Sequence, residues 1–520
     1  MVTKIENESP ILQWYTGKSI FITGATGFMG KVLLEKLLYT CTGVKNIYIL
    51  IRSKRGKNPE TRIQEMWSLP LFERLRASQP YAINKIIPVI GDLSSEGLGL
   101  NQQDLDLLVN NVNVVFHCAA SLKLEATLKD AIEQNTAGTG RVIDVVKKIQ
   151  NLDVFVYFST AFCSADIDVF EERIYDCHEN PRDVIEVARW MRDDALKIAT
   201  QSVIAPHPNT YTYSKRLAEK MVADEVDNIP VCIVRPSVVT PAMLEPLPGW
   251  VDSLNGPMGL LVGGGKGVIR SMYAKAENNA QVVPVDIAIN ATIVIAQRIG
   301  SRTEKTNKVP VYNLTQDDCL PITMGEILNK GRQAVYENPF EMQIWYPDGD
   351  IRSSYLVHKI YCILLHWLPA YFIDFLLLLF RYPRFMVRLQ GKVHDGLELL
   401  QFFTVRQWKF KNEKFVGLTH DMTQEEIATF QMDFHAVPLD HYMTTCVLGA
   451  RQYLMKEDLS TLPRCRRKQK FLYVIHKVVV FCLYTCLIWL AVTTLPKVKI
   501  MFDVAGSFIH KLGHGPISTK

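Results

Sequence analysis

Eleven cysteines occur in the 520 residues, yet none forms a CxxC pair and none stands at finger spacing with histidine. A zinc site or a disulfide framework is therefore not expected, and the cysteines read as free, mostly buried thiols of a reducing compartment. The opening residues, MVTKIENESP, contain no apolar run, so no secretory signal is expected there. Basic residues form no long stripe and the net charge is only +5, which gives nucleic acid no footprint. No internal repeat is found, which excludes a solenoid. With 48% apolar and 21% charged residues the chain is not disordered, and it is long enough for more than one domain.

One further absence concerns a strand end. Ile20 to Gly30 reads IFITGATGFMG, a short apolar strand followed by glycines at 24, 27 and 30 and then the helical run KVLLEKLL. Glycines between a strand and a helix let backbone approach a pyrophosphate and present it to the helix N-terminus, where free N–H groups favour anions. The next apolar run, Asn46 to Ile51, reads as a buried parallel strand. Dinucleotide folds selective for NAD end this strand with Asp or Glu. Here no acid follows; Arg52, Lys54, Arg55 and Lys57 do, which suits a 2′-phosphate and so NADPH, a solvated basic loop being the plainer reading. Two more strands end in small residues: Ile86 to Ile90 at Gly91-Asp92-Leu93, and Val112 to Phe116 at His117-Cys118-Ala119-Ala120. Asp92 is placed to accept from an adenine amine. His117 and Cys118 have no partner at ligand spacing, so no metal site is expected.

The candidate chemistry lies further on. A strand from Leu152 to Phe158 leads to Ser159-Thr160, and about fifty residues later Tyr211-Thr-Tyr-Ser-Lys215 opens a helical run. Tyr211 and Lys215 share a helix face, where an ammonium is expected to lower the phenol's pKa. Such a tyrosine can donate a proton to an oxygen whose carbon accepts hydride, with Thr160 or Ser159 bonded to the same oxygen. Tyr81/Lys85, Tyr355/Lys359 and Tyr473/Lys477 share this spacing, but only the 211/215 pair follows a Ser/Thr strand end and precedes the strand VCIVRPS at 231–237. Cys163 lies near, with no paired base, and reads as a structural thiol.

The TGxxGFxG turn with HCAA, STAF, YTYSK and VRPS resembles the extended short-chain dehydrogenase/reductases. GWVDSLNGPMG (249–259), Lys266-Gly267, VPVD (283–286), HWLPA (366–370), Trp408-Lys-Phe410, Asp433, Tyr442 and Leu454 narrow the likeness, over about residues 15 to 460, to the fatty acyl-CoA reductases, insect members in particular. Thr160 stands where many extended dehydrogenases have Ser, and Phe162 where members of the family often have Tyr. The resemblance implies reduction of a long-chain acyl-CoA to a fatty alcohol with two NADPH, CoA leaving before an aldehyde is reduced. Catalysis then falls to Thr160, Tyr211 and Lys215, with Ser159. The expected cofactor contacts are Thr23, Gly24, Thr26, Gly27, Phe28, Met29, Gly30, Arg52, Lys54, Arg55, Asp92, Leu93, Cys118, Ala119, Ala120, Asn135, Tyr211, Lys215, Pro236, Ser237 and Val238. Two rivals remain: a membrane-bound reductase of steroid or other lipid alcohols or of nucleotide sugars, and a non-catalytic NADP-binding scaffold.

The fold expected is α/β, a doubly wound parallel sheet with a mostly helical C-terminal domain and a C-terminal transmembrane helix. In order, this gives a mobile arm at 1–14, a Rossmann domain at 15–345 with its substrate part from about 236, and a helical domain at 346–462. A transmembrane helix at 471–495 and a tail at 496–520 follow. Val478 to Leu495 carries no charge, and Arg464, Arg466, Arg467, Lys468 and Lys470 precede it, against Lys497 and Lys499 after it. That asymmetry puts the main body in the cytosol behind a single C-terminal anchor, in the endoplasmic reticulum rather than the peroxisome. Ile360 to Phe380, broken by His366, Pro369 and Asp374, reads as two short helices, buried or against the bilayer, and as a candidate wall for an acyl tunnel. LVGGGKGV (261–268) is a lid or a turn. The expected partners are a long-chain acyl-CoA and the membrane lipid bilayer, without nucleic acid, and homodimer formation is left open.

Overall fold

The computed structural model describes residues 9–52, 58–304 and 306–494. Seven parallel strands form the central sheet: β1 Ser19–Thr23, β2 Asn46–Ile51, β3 Ile86–Ile90, β4 Val114–His117, β5 Val154–Phe158, β6 Val231–Pro236 and β7 Val311–Leu314. Their order is β7-β6-β5-β4-β1-β2-β3. The chain therefore winds outward from β1 in one direction, then returns to β4 and winds in the other. The crevice at the carboxyl ends of β1 and β4 is the switch point where doubly wound sheets bind ligands.

Both faces of the sheet are covered, which is why its central strands are continuous apolar runs. Ile20 and Ile22 pack beneath helix α1 (Phe28–Thr40) and the helix Val285–Gly300, while Phe21 points to the opposite layer. That second layer holds Phe21, Val115 and Phe155 against Val142 and Val145 of the helix Gly138–Val146 and against Ala218 and Val222 of helix α2 (Thr210–Ala223). Fully burying each such side chain contributes about 2 kcal/mol.

Some expectations are corrected. Pro10–Tyr15, which overlaps the supposed arm at 1–14, is a helix whose Ile11 and Tyr15 are buried; the Tyr15 hydroxyl donates to the Ile293 carbonyl at 2.8 Å. LVGGGKGV is not merely a turn between elements. It ends helix α3 (Pro257–Gly265), where Gly265 leaves room for Phe340, and Lys266 then donates to the Glu341 carbonyl and to Glu457, both at 2.9 Å. The segment with Pro369 is not two separate helices. Helix α4 (Tyr355–Leu379) runs continuously, because a π-helical turn at Ile363–Trp367 absorbs the hydrogen bond that proline cannot make.

Helix α4 is followed by α5 (Met386–Thr404), α6 (Leu439–Gly449) and the long exposed α7 (Leu462–Thr494). This helical part is knitted into the rest. Asp350–Arg352 pairs in parallel with Ser271–Tyr273, and Lys409–Phe410 with Val169–Phe170. Lys54, Arg55, Lys57, the first eight residues and the tail after Thr494 lie outside the described residues.

Candidate active site

The turn after β1 is fixed by steric necessity. Gly24 has φ +76°, and a Cβ there would stand 2.6 Å from the backbone nitrogen of Ala119 in the turn after β4. Gly30 packs its backbone onto Gly24, so both positions need glycine. Gly27 caps α1 without any side-chain bond, leaving the first-turn N–H groups without a capping side chain at the end of β1. Thr23 accounts for its own hydroxyl: it bonds His117 Nδ1 at 2.6 Å and ties the ends of β1 and β4 together. His117 Nε2 lies 3.0 Å from Thr139 Oγ1, and burial, helped by Lys215, pushes the imidazole down to about 3, so it stays neutral.

At the end of β2, Arg52 is exposed and its guanidinium stands 3.7 Å from Asp92. Partial burial would raise the Asp92 carboxyl, but hydrogen bonds from the Ser94 N–H and hydroxyl, with Arg52 nearby, hold it below the usual range. Leu93 gives its carbonyl to Arg141 at 2.7 Å and packs against Gly138. Over α1, Phe28 stacks on Trp250 at 5.4 Å, beside Met29, and Lys31 pairs with Asp252. The GWVDSLNGP stretch is thereby clipped onto the start of that helix. Gly249, at φ +76°, is needed because α6 crosses it, the Thr445 carbonyl standing 2.4 Å from where a Cβ would be.

Asn135 sits in a second π-helical turn, Ile132–Ala137. Its amide donates to the Ser121 carbonyl at 3.1 Å and to Ser214 Oγ at 2.9 Å, and its oxygen accepts from the Ser121 N–H at 2.7 Å. One side chain thus joins the turn after β4, through Cys118, Ala119 and Ala120, to helix α2.

Tyr211 and Lys215 do share a face of α2, and Asn209 caps that helix by accepting from the Thr212 N–H at 2.9 Å. The expected pairing between them is corrected. Lys215 Nζ donates to the Phe158 carbonyl at 2.7 Å and lies 3.2 Å from the Tyr157 hydroxyl. Burial pushes the Tyr211 phenol up, Cys163 adds to that, and the Thr160 hydroxyl is what lowers it. Loss of water, which the ammonium does not offset, decides the sign. A phenol that retains its proton is a suitable acid. Burial also pushes Lys215 down to about 8, with Glu219 opposing.

Of the two hydroxyls after β5, Thr160 reaches Tyr211, while Ser159 lies against Glu219 and Cys163. Glu219 and Arg235 were missed as a unit. Arg235 is wholly buried and grips Glu219 through Nε and Nη2 at 2.8 and 2.6 Å, holding the carboxylate below its usual range although burial opposes this. The signal was present: Glu219 follows Lys215 by four residues, and Arg235 belongs to VRPS. Cys163 is pushed up to about 12 by burial and Glu219, which removes it as a nucleophile.

Ala161 N–H donates to the Pro236 carbonyl at 3.0 Å, so the Thr160 turn rests on the end of β6, followed by Ser237 and Val238. The short strand Val238–Thr240 then opens a cavity of about 240 Å³ with an almost wholly apolar wall. Its lining comes from Met243, from Leu261 and Gly264 of α3, from Ser271 and Met272, from Leu328 and Gly331, and from Val437, Tyr442 and Cys446 near and on α6. Asp286 of the VPVD motif accepts from the N–H groups of Met243, Leu244 and Glu245 at 2.7–3.1 Å and so fixes one rim. Tyr442 fixes another by donating to the Pro241 carbonyl at 2.8 Å, 2.7 Å from Thr240 Oγ1. The segment 360–380 does not line this cavity, which corrects its expected role as tunnel wall.

Two family models described as "Male sterility protein", one of them NAD-binding, match residues 22–292 and 365–457. "Fatty acyl-CoA reductase 1" of Xenopus laevis is 35% identical over 458 residues, 88% of each chain, and "Fatty acyl-CoA reductase 2" of Mus musculus is 34% identical over 90% of each. The chain belongs to the fatty acyl-CoA reductase family. Like its relatives this reductase is an oxidoreductase of fatty acyl groups that uses a nicotinamide cofactor. A Drosophila melanogaster relative is 34% identical over 90% of this chain and 92% of its own. Among solved structures, the terminal R domain of the myxalamid pathway (TM-score 0.57, 19% identity) covers 85% of the reductase and 93% of its own chain. A reductase domain of a nonribosomal peptide synthetase from Mycobacterium tuberculosis (0.56, 17%) covers 86% and 95%, and at such identities the likeness is one of fold. Among the described residues two helices, Tyr355–Leu379 and Leu459–Thr493, are long and apolar enough to cross a membrane.

Proposed function

We propose that this reductase converts a long-chain acyl-CoA to the fatty alcohol, using two NADPH and releasing CoA, by way of an aldehyde. The observation that carries the reading is the Thr160–Tyr211 pair held one short strand away from an apolar cavity. Gly24 and Gly30, which admit no Cβ, and the uncapped start of α1 fit a dinucleotide pyrophosphate. Arg52, with Lys54 and Arg55, would hold the 2′-phosphate, and Asp92, Cys118–Ala120 and Pro236–Val238 would flank the rest. When bound, NADPH supplies hydride to the carbonyl carbon.

Thr160 and Tyr211 hydrogen-bond the carbonyl oxygen, and Tyr211 delivers its proton as negative charge grows there. A thioester and an aldehyde place that charge on the same atom, so one pair serves both reductions. Between them the tetrahedral adduct collapses, its C–S bond breaks, and the thiolate of CoA takes up a proton. Lys215 holds the Phe158 carbonyl and thus the position of Thr160. The apolar part of α7, preceded by Arg464, Arg466, Arg467, Lys468 and Lys470, anchors the chain with its body in the cytosol, at the endoplasmic reticulum.

Membranes carrying the protein, supplied with NADPH and acyl-CoAs of graded length, should yield one CoA and two NADP⁺ per alcohol. Oxidation of a lipid hydroxyl, or cofactor binding without turnover, would overturn the reading. Arg52→Glu should lower the preference for NADPH over NADH about tenfold, as expected for one charge-assisted bond.

A further inference from the structure

Helix α4 could cross a bilayer by length and composition, yet its packing forbids it. Its buried residues, His358, Cys362, His366, Ala370 and Asp374, recur every fourth position along the whole helix. Three of these are polar, and each is committed to the protein body. His358 Nδ1 lies 2.9 Å from Ser271 Oγ. His366 Nε2 accepts from the N–H groups of Arg270 and Ser271 at 2.8 and 3.2 Å. Asp374 accepts from the N–H groups of Phe385, Met386 and Val387 at 2.9–3.0 Å, which caps α5. A spanning helix would carry these groups into hydrocarbon without their partners, which is strongly unfavourable.

The opposite face is another matter. Leu364, Leu368, Phe372, Phe375 and Leu379 are all exposed, at the three- and four-residue spacing of one helical stripe. The turn to α5 continues the stripe with exposed Phe380, Tyr382 and Phe385, and Arg381, Arg384, Arg388 and Lys392 stand exposed around it. An apolar stripe edged by cations is the pattern of a helix lying in the plane of an anionic bilayer surface. Packing around Arg270 also fixes where this stripe stands relative to α7. Arg270 gives its N–H to His366 of α4, while its guanidinium grips Asp348 at 2.8 and 2.6 Å. Asp348 lies 3.7 Å from His476 of α7, whose Nδ1 also accepts from Trp345 Nε1 at 3.3 Å. One arginine therefore joins both apolar helices to the same edge of the body.

We propose that the outer face of α4 and its turn is a second membrane contact, lying in one leaflet of an anionic bilayer, which brings the Ser271–Met272 wall of the cavity to the lipid surface. The inference rests on the anchoring by α7 put forward above and adds a contact to it. The test uses the full chain in vesicles of phosphatidylcholine and phosphatidylserine, with p-benzoylphenylalanine placed singly at exposed Phe375 of α4 or Phe481 of α7. On illumination, lipid adducts at both positions are expected. Lipid at Phe481 but none at Phe375, or a cross-link from Phe375 to a second copy of the chain, overturns the second contact while sparing the anchor. Lipid at Phe375 alone upholds the contact and removes the anchor; lipid at neither removes both.

Discussion

The proposed reaction centre and the apolar cavity are built in opposite ways. The centre is compact in sequence terms: Thr160 follows one strand, and Tyr211 and Lys215 stand one helical turn apart on α2. Its polar groups are immobilised by buried bonds, Lys215 on Phe158 and Asn135 on Ser121 and Ser214. The cavity is assembled from segments as distant as Thr240, Gly331 and Cys446, and holds its shape by apolar packing. On the function proposed above, chemistry would rest on rigid elements of the sheet, and the fit to a lipid chain on the seam where the helical part meets it. The two should therefore fail separately.

The largest separation is expected from Tyr211→Phe, which should cut alcohol formation by about two orders of magnitude or more while NADPH still binds, as read by product analysis and fluorescence titration. Loss of binding as well would mean that the phenol serves the cofactor pocket. Gly24→Val should abolish measurable cofactor binding, since its Cβ would meet Ala119 and its φ is unfavourable, and thermal unfolding would report the strain as a lowered Tm. Gly264→Leu addresses the cavity alone. A Cβ at Gly264 meets no atom within 4 Å, so the side chain would fill space without disturbing the fold. The kcat/KM for the longest accepted acyl-CoA should fall about tenfold, with shorter chains spared.

The smallest effect concerns pH. Burial holds Lys215 near 8, below a free lysine. Between that value and the ordinary one the unfolded chain binds the extra proton, so this residue makes stability rise with pH across that window. Activity should run the other way: the charged amine is lost above about pH 8, while Tyr211, pushed up, stays protonated. An activity limb falling near pH 8 and absent in Lys215→Met would establish the link.

The sheet and its crevice were legible because each rests on local pattern. Gly24, Gly27 and Gly30 lie in one turn, and β1, β4 and β5 are continuous apolar runs with no alternative use. The pairing of Lys215 was not legible, since nothing at i+4 spacing reveals that the Phe158 carbonyl and the Tyr157 hydroxyl would compete for the ammonium. Burial, a property of the whole fold, then reversed the shift expected for Tyr211. The continuity of α4 is hidden in the sequence for a related reason. Proline breaks a regular helix, and the π-helical turn that accommodates Pro369 has no residue signature of its own. The cavity was the least legible of all, its walls meeting only in the folded chain.

The two short parallel ladders between the halves bear on how the gene could be divided. Severing the chain near residue 345 would leave Ser271–Tyr273 and Val169–Phe170 without neighbours, their main-chain amides turned toward solvent. Each fragment would then offer a sticky border to its own kind, and aggregation would compete with any search for the missing half. A cut at that joint is therefore expected to give less soluble protein than the intact chain, as read by the soluble fraction of co-expressed halves.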